Sequence, residues 1–218
     1  MKKLRYKTDK WEKRKNMLIE NIKYDYDEVS LLKKDYLNGN IDEIRYYYTL
    51  SLYFRDIAED EFVQGNYLEC NKSIANSLDS FIISVKLLNA GKNTNEATRL
   101  NIESKINSGY FGYYALITSN YEVIPNITKE NSSIIQMLSN SIINEDVSNY
   151  INTMEIAISM KDSNKFEDAL VNRIKQIRKF DLDNYICADF ISIALVKEAR
   201  KNGLHFNSEY IEVDLKEI

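Results

Sequence analysis

Residue types that do chemistry are thinly spread along this chain, and their clearest grouping lies near its end. Arg200-Lys201-Asn202-Gly203-Leu204-His205 sets an arginine, then four residues, then the single histidine. An imidazole can serve as general base and a guanidinium can hold a phosphate oxygen, so the pair is a candidate for acid–base chemistry on an anionic ester. Such a pair can act only if both side chains reach one substrate. Gly203 stands between them and favours a helix stop, and an acidic surface repels RNA. The residues therefore favour a plainer reading: a helix-ending arginine and an exposed tail histidine. Asp189 is the second candidate. It stands among Ile186, Cys187, Ala188, Phe190, Ile191 and Ile193, where a carboxylate is costly to bury without a partner. It either faces solvent or pairs with an arginine or lysine of another helix. As a solitary acid it is a weak hydrolytic candidate, because acid–base hydrolysis uses a second carboxyl across a cleft.

Other chemistry lacks its residues. One histidine excludes paired Glu-x-x-His di-iron sites and HExxH zinc sites. No GxxxxGK[ST], GxGxxG or GxSxG stretch occurs. Cys70 and Cys187 have neither CxxC nor metal spacing and read as small buried thiols of a reduced, cytoplasmic protein. No catalytic residue, metal or cofactor is assigned from these residues.

Charge adds a direction. The net charge is −4, yet the first fifteen residues hold eight Lys/Arg against Asp9 and Glu12, a balance of +6 that leaves −10 on the other 203. An acidic body suits a basic protein partner and disfavours nucleic acid. The basic leader is followed by Trp11-Glu12-Lys13-Arg14-Lys15 rather than an apolar run, which argues against a signal peptide. No stretch approaches the ~20 apolar residues of a membrane span. Lys, Asn, Ile and Tyr are all frequent, so codon bias and packing account for most of the sixteen tyrosines, including Tyr46-Tyr47-Tyr48 and those from Tyr110 to Tyr114.

The elements that position these residues read as helices throughout. One proline and six glycines are too little punctuation for an all-β fold. Ile44, Tyr47, Leu50, Phe54, Ile57 and Ala58 give one helix an inward stripe. Gly65-Asn66 turns the chain, and Ile74, Ala75, Leu78, Phe81, Ile82, Val85 and Leu88 give the next its own. Before this hairpin the spacing suggests two helices, from Lys10 to Lys23 and from Asp25 or Asp27 to Leu37. After it, Asn93-Thr94-Asn95 and Thr128-Lys129-Glu130 read as helix starts, and Pro125 marks a loop. Phe166, Ala169, Leu170, Ile174 and Ile177 form a stripe with Arg173 on its wet side. Asp181-Leu182-Asp183 caps a last helix from Tyr185 to Asn202, stopped by Gly203 with Leu204 after it. The prediction is an all-α protein of about nine or ten helices in antiparallel hairpins, one domain over 1–218, with any subdomain break near 120–127. Turns such as Gly39-Asn40, Gly65-Asn66 and Ser163-Asn164 suit a tetratricopeptide-like style, although that repeat's period and signature residues are missing.

Two resemblances add expectations. The Arg200–His205 spacing resembles that of the helical ribonucleases of the HEPN superfamily, from which Gly203 departs; on that alternative, His205→Ala and Arg200→Ala abolish RNA cleavage. The segment Asp183-Asn184-Tyr185-Ile186-Cys187-Ala188-Asp189-Phe190-Ile191-Ser192-Ile193-Ala194-Leu195 leads into Ala199-Arg200-Lys201-Asn202-Gly203-Leu204. It resembles the end of the Imm49-type immunity proteins of bacterial polymorphic toxin systems, and the central Gly-Asn hairpin resembles their middle; the basic leader departs from that family. The resemblance implies a cytoplasmic, non-catalytic protein, monomer or homodimer, that neutralises a basic cognate toxin by binding it, with neither nucleic acid nor membrane as partner. The acids expected to meet the toxin are Asp42, Glu43, Asp60 and Glu61, read as surface acids near helix starts, and Glu209, Glu212 and Asp214 of the tail. A further alternative is a helical-repeat scaffold that holds a peptide in a groove lined by tyrosines such as Tyr47.

Overall fold

Asp42 begins the central hairpin by capping it: its Oδ1 accepts the Arg45 N–H at 2.8 Å. The computed structural model describes residues 9–140, 149–180 and 188–207, and over these it is all helical, with ten α-helices and no strand. Helix α2 (Glu43–Gln64) ends at Gly65, whose φ of 81° is the left-handed conformation that glycine takes at low cost. Helix α3 (Tyr67–Asn89) then returns antiparallel. The inward residues of the pair include Ile44, Leu50, Ile57 and Ala58 on α2 and Ile74, Leu78, Phe81 and Val85 on α3, all buried. Tyr48, not Tyr47, points inward, and Phe54 is only half-buried. Between the helices lies a set of buried serines that apolar periodicity passes over: Ser51, Ser73, Ser77, Ser80 and Ser84. Ser77 donates its hydroxyl to the Ser51 carbonyl at 2.6 Å and Ser51 donates to the Tyr48 carbonyl at 2.6 Å. Small side chains let the backbones approach, and the carbonyls satisfy their hydroxyls.

Helix α1 (Asp9–Leu37) is a single 29-residue helix, where two were expected. No glycine or proline interrupts residues 9–37, so Asp25 and Asp27 lie within the helix instead of capping a new one. Asn38-Gly39-Asn40 then ends it, with Gly39 at a φ of 74°. The side chains of Trp11 and Leu18, and residues 1–8 of the basic leader, lie outside the described part.

Helix α4 (Glu96–Ser108) is capped by Asn95, as the sequence suggests, through the Thr98 N–H at 2.8 Å. Gly109, φ 65°, passes it into α5 (Tyr110–Ile117). Seven consecutive residues of α5, Phe111 to Ile117, are buried, and Phe111 stacks on Phe81 with ring centroids 3.8 Å apart. The Pro125 region is helical, not a loop: a 3-10 turn over Tyr121–Val123 runs into the one-turn α6 (Ile124–Ile127). Proline is tolerated in a first helical turn, where its missing N–H has no intrahelical partner to lose, and Ile124 and Ile127 enter the core on either side of it.

Helix α7 (Ser133–Leu138) is capped by Ser132 rather than opened at Thr128. Helices α8 (Tyr150–Met160) and α9 (Ser163–Phe180) form a second hairpin around Lys161, in the left-handed region at φ 55°. Helix α10 (Phe190–Lys201) starts later than Tyr185, because Asp189 is its cap. Asp181, Asp183 and Cys187, like Ile142 and Val147, lie outside the described residues. At its end Gly203 takes φ 82° and Leu204 donates its N–H to the Ala199 carbonyl at 3.0 Å, the stop expected from the Gly-Leu pair. Helix α10 packs on α5, and one apolar cluster runs from Ile44 to Leu204.

Candidate functional site

The surface that stands apart from this core is the seam where α1 lies along α2. In a helix, positions 25, 28, 32 and 36 fall on one side, and in α1 these are Asp25, Glu28, Leu32 and Tyr36. Two carboxylates therefore face a neighbouring helix where apolar residues are usual. Helix α2 meets them with phenols and acids of its own. The Tyr53 hydroxyl donates to Glu28 Oε2 at 3.1 Å, and Tyr24 also bonds Glu28. Tyr36 stacks on Tyr46 at 4.5 Å, and Tyr47 meets the Tyr46 ring edge-on at 5.0 Å. No described side chain of α1 belongs to the apolar cluster.

Asp60 lies deepest in the seam. It is 0% exposed, and no hydrogen-bond donor reaches either oxygen. Its carboxyl instead faces that of Asp25. Burial, with Asp25 next and Glu59 and Asp56 further off, pushes Asp60 up to about 8. At neutral pH Asp60 is therefore held mainly as the neutral acid, because a buried charge facing other carboxyl groups is costly in low dielectric. Glu61 beside it is 6% exposed; it accepts the Asn66 side-chain amide at 2.7 Å and also bonds Tyr26.

These positions correct the expected surface acids. Asp60 and Glu61 belong to the last turns of α2, not to a helix start, and both are buried because α1 and the Gly65-Asn66 turn cover them. Asp42 and Glu43 do stand at the start of α2, but they are engaged within the chain. Asp42 Oδ2 accepts the Thr94 hydroxyl at 3.0 Å, and Glu43 pairs with Lys92, so together they fasten α2 to the α3–α4 connection. Glu209, Glu212 and Asp214 lie outside the described residues. The seam's acids escaped the sequence reading because nothing in an isolated helix says that Asp25 will meet Asp60.

Along one flank of the seam Met17, Tyr24 and Leu31 recur every seven residues and share one side of α1. All three stand more than half exposed, at 52%, 62% and 54%. The flank thus combines exposed apolar residues with the carboxylates beneath them.

The other candidates are held structurally. Asp189 is buried and gripped by Arg173, whose Nε and terminal nitrogen lie 2.9 and 2.8 Å from its two oxygens. Arg173 is therefore turned inward and not on the wet side of α9. The Arg200 guanidinium lies over the Phe206 ring, 5.8 Å from its centroid. His205 is exposed and fixed by its backbone N–H to the Ser163 hydroxyl at 3.0 Å, with the helix ended before it.

No group of three or more His, Cys, Asp or Glu among the described residues is placed to hold a metal, and no described helix is long and apolar enough to cross a membrane. In comparison with known proteins, the chain matches no family model, no curated protein and no solved structure.

Proposed function

We propose that the protein acts by binding another protein, a basic one, across the α1–α2 seam, as a cytoplasmic inhibitor of the immunity type to which its last helix and central hairpin bear a resemblance. The observation that carries this reading is the position of α1. A helix of 29 residues places none of its described side chains in the apolar cluster, yet shows Met17, Tyr24 and Leu31 to solvent beside Asp25 and Glu28. Apolar anchors give a partner buried area, and the carboxylates speed its encounter if it is positively charged. An acidic body of −10 outside the first fifteen residues extends that field.

The test is to co-express the chain with the product of its neighbouring gene, score cell survival, and purify the complex. Rescue with a stoichiometric complex is expected. Met17→Ala, Tyr24→Ala and Leu31→Ala together should loosen it mainly through faster dissociation. Rescue unaffected by those changes would place the interface elsewhere. The absence of both rescue and complex would sink the inhibitor reading.

A further inference from the structure

Helix α8 carries a second buried acid, remote from the seam. Glu155 is 1% exposed. Its Oε1 accepts the Tyr113 hydroxyl at 3.0 Å, and the Ser133 hydroxyl bonds the same carboxyl. It lines a cleft of about 380 Å³ with Tyr110, Tyr113, Ser133, Asn149 and Ile191 among its neighbours. These come from α5, the start of α7, the cap of α8 and the start of α10, and none of the cleft's lining residues belongs to α1 or α2. The volume is within the range of small-molecule sites, which run from roughly 300 to 1,000 Å³.

The charge around this acid is one-sided. From α5 and α7 it meets a phenol and an alcohol, and α10 lines the cleft with an isoleucine. Among the described residues no lysine or arginine pairs with it. The charge of Arg173 on α9 reaches Tyr113, but that guanidinium is already held by Asp189 of α10. Lys105 of α4 sits over the Tyr110 ring, 4.8 Å from its centroid. A buried carboxyl with only neutral donors is an unfavourable arrangement, and a cation brought into its cleft removes most of the disadvantage. Asn149 and Ile191 among the lining residues can receive a polar edge and a short apolar body.

We propose that this cleft binds a small organic cation, an alkylammonium or guanidinium compound, with Glu155 as its counter-ion. Burial pushes Glu155 up to about 7, so near neutrality the empty site is a mixture of acid and carboxylate. Binding draws it to the carboxylate and releases the proton to solvent, and affinity therefore rises with pH across that range. The α1–α2 seam takes no part, so the two proposals stand or fall separately.

The experiment is an NMR titration of the Glu155 side-chain carboxyl carbon against pH, without and with n-butylammonium, and with n-butanol as the uncharged control. Butylammonium should lower the midpoint by about one pH unit, a tenfold preference for the ionised form. It should also shift the Tyr113 ring resonances saturably, while butanol does neither. Glu155→Gln keeps both hydroxyl partners and should abolish the Tyr113 response. An unmoved midpoint, an equal effect of butanol, or undiminished binding by Glu155→Gln would overturn the site. Should Glu155→Gln fail to fold, the wild-type midpoint decides alone.

Discussion

Arg173 on α9 holds Asp189, the cap of α10, with two parallel hydrogen bonds of 2.9 and 2.8 Å. Ser192 completes the knot: its hydroxyl donates to Asp189 at 2.6 Å and accepts from Arg173 Nε at 3.0 Å, and its backbone N–H takes the cap bond at 3.2 Å. The side chains are 13% and 4% exposed, so water does little to screen the pair. One carboxylate thereby starts a helix and fastens it to its neighbour.

Breaking that pair from one side leaves the other charge buried. Arg173→Met and Asp189→Asn should each cost about 3–5 kcal/mol, the usual penalty for stranding one partner of a buried pair. The double variant removes both charges while Asn still caps α10, and it should recover a large part of the loss. Urea midpoints of the four proteins check this; additive losses would mean that the pair is not coupled.

Cys70 is 0% exposed, and burial, with the Glu61 carboxylate as a lesser cause, pushes its thiol up to about 12. In a Cys187→Ser protein, labelling by a thiol-specific disulfide reagent at neutral pH should be slower than in the unfolded chain on the order of a thousandfold, because the thiolate is the reactive form. Rapid labelling of the native protein would show that the α2–α3 interface opens there.

Much of the fold was legible because apolar periodicity records which helix face is buried. The α2–α3 hairpin follows from it, and the Gly203-Leu204 stop follows from glycine's ease in the left-handed conformation. Polar packing was not legible. Asp189 signalled a need for a cation, but its partner lies 16 residues back, on a face of α9 that reads as wet because arginine is usually exposed. The acid pair of Asp181-Leu182-Asp183 looked like the cap that Asp189 supplies. In the seam, Asp60 and Glu61 read as surface acids, since only the covering helix buries them. The serines of α3 are invisible to a hydrophobic count, although they are buried and Ser77 bonds across to the α2 backbone.

Because α1 adds nothing described to the apolar cluster, its local stability should be the lowest of the long helices. Amide exchange of residues 22–37 should precede that of α3 under native conditions. Tyr53→Phe and Glu28→Gln should speed exchange in α1 through loss of the 3.1 Å bond and leave α3 unchanged. Equal rates in α1 and α3 would show that the two open as one unit.

Asp60 also makes stability depend on pH in a definite direction. Its carboxyl rises from an ordinary 3.8 to about 8 in the folded chain, so between those values the folded state holds a proton that the unfolded state has lost. The unfolded chain then binds fewer protons, and stability falls as pH rises from about 4 to about 8, levelling above that. Glu155, raised from 4.5 to about 7, acts in the same sense over a narrower range. Asp60→Asn removes the first contribution only. The variant should be about 1–3 kcal/mol more stable than the parent at pH 8.5, the scale of one relieved buried polar group. It should show little gain at pH 4.5, where the parent already carries the proton. Its remaining decline should end near pH 7, the value set by Glu155. Thermal unfolding at a series of pH values measures both curves. A parent whose stability is flat or rising between pH 5 and pH 8 would contradict a buried Asp60 carboxyl raised to about 8.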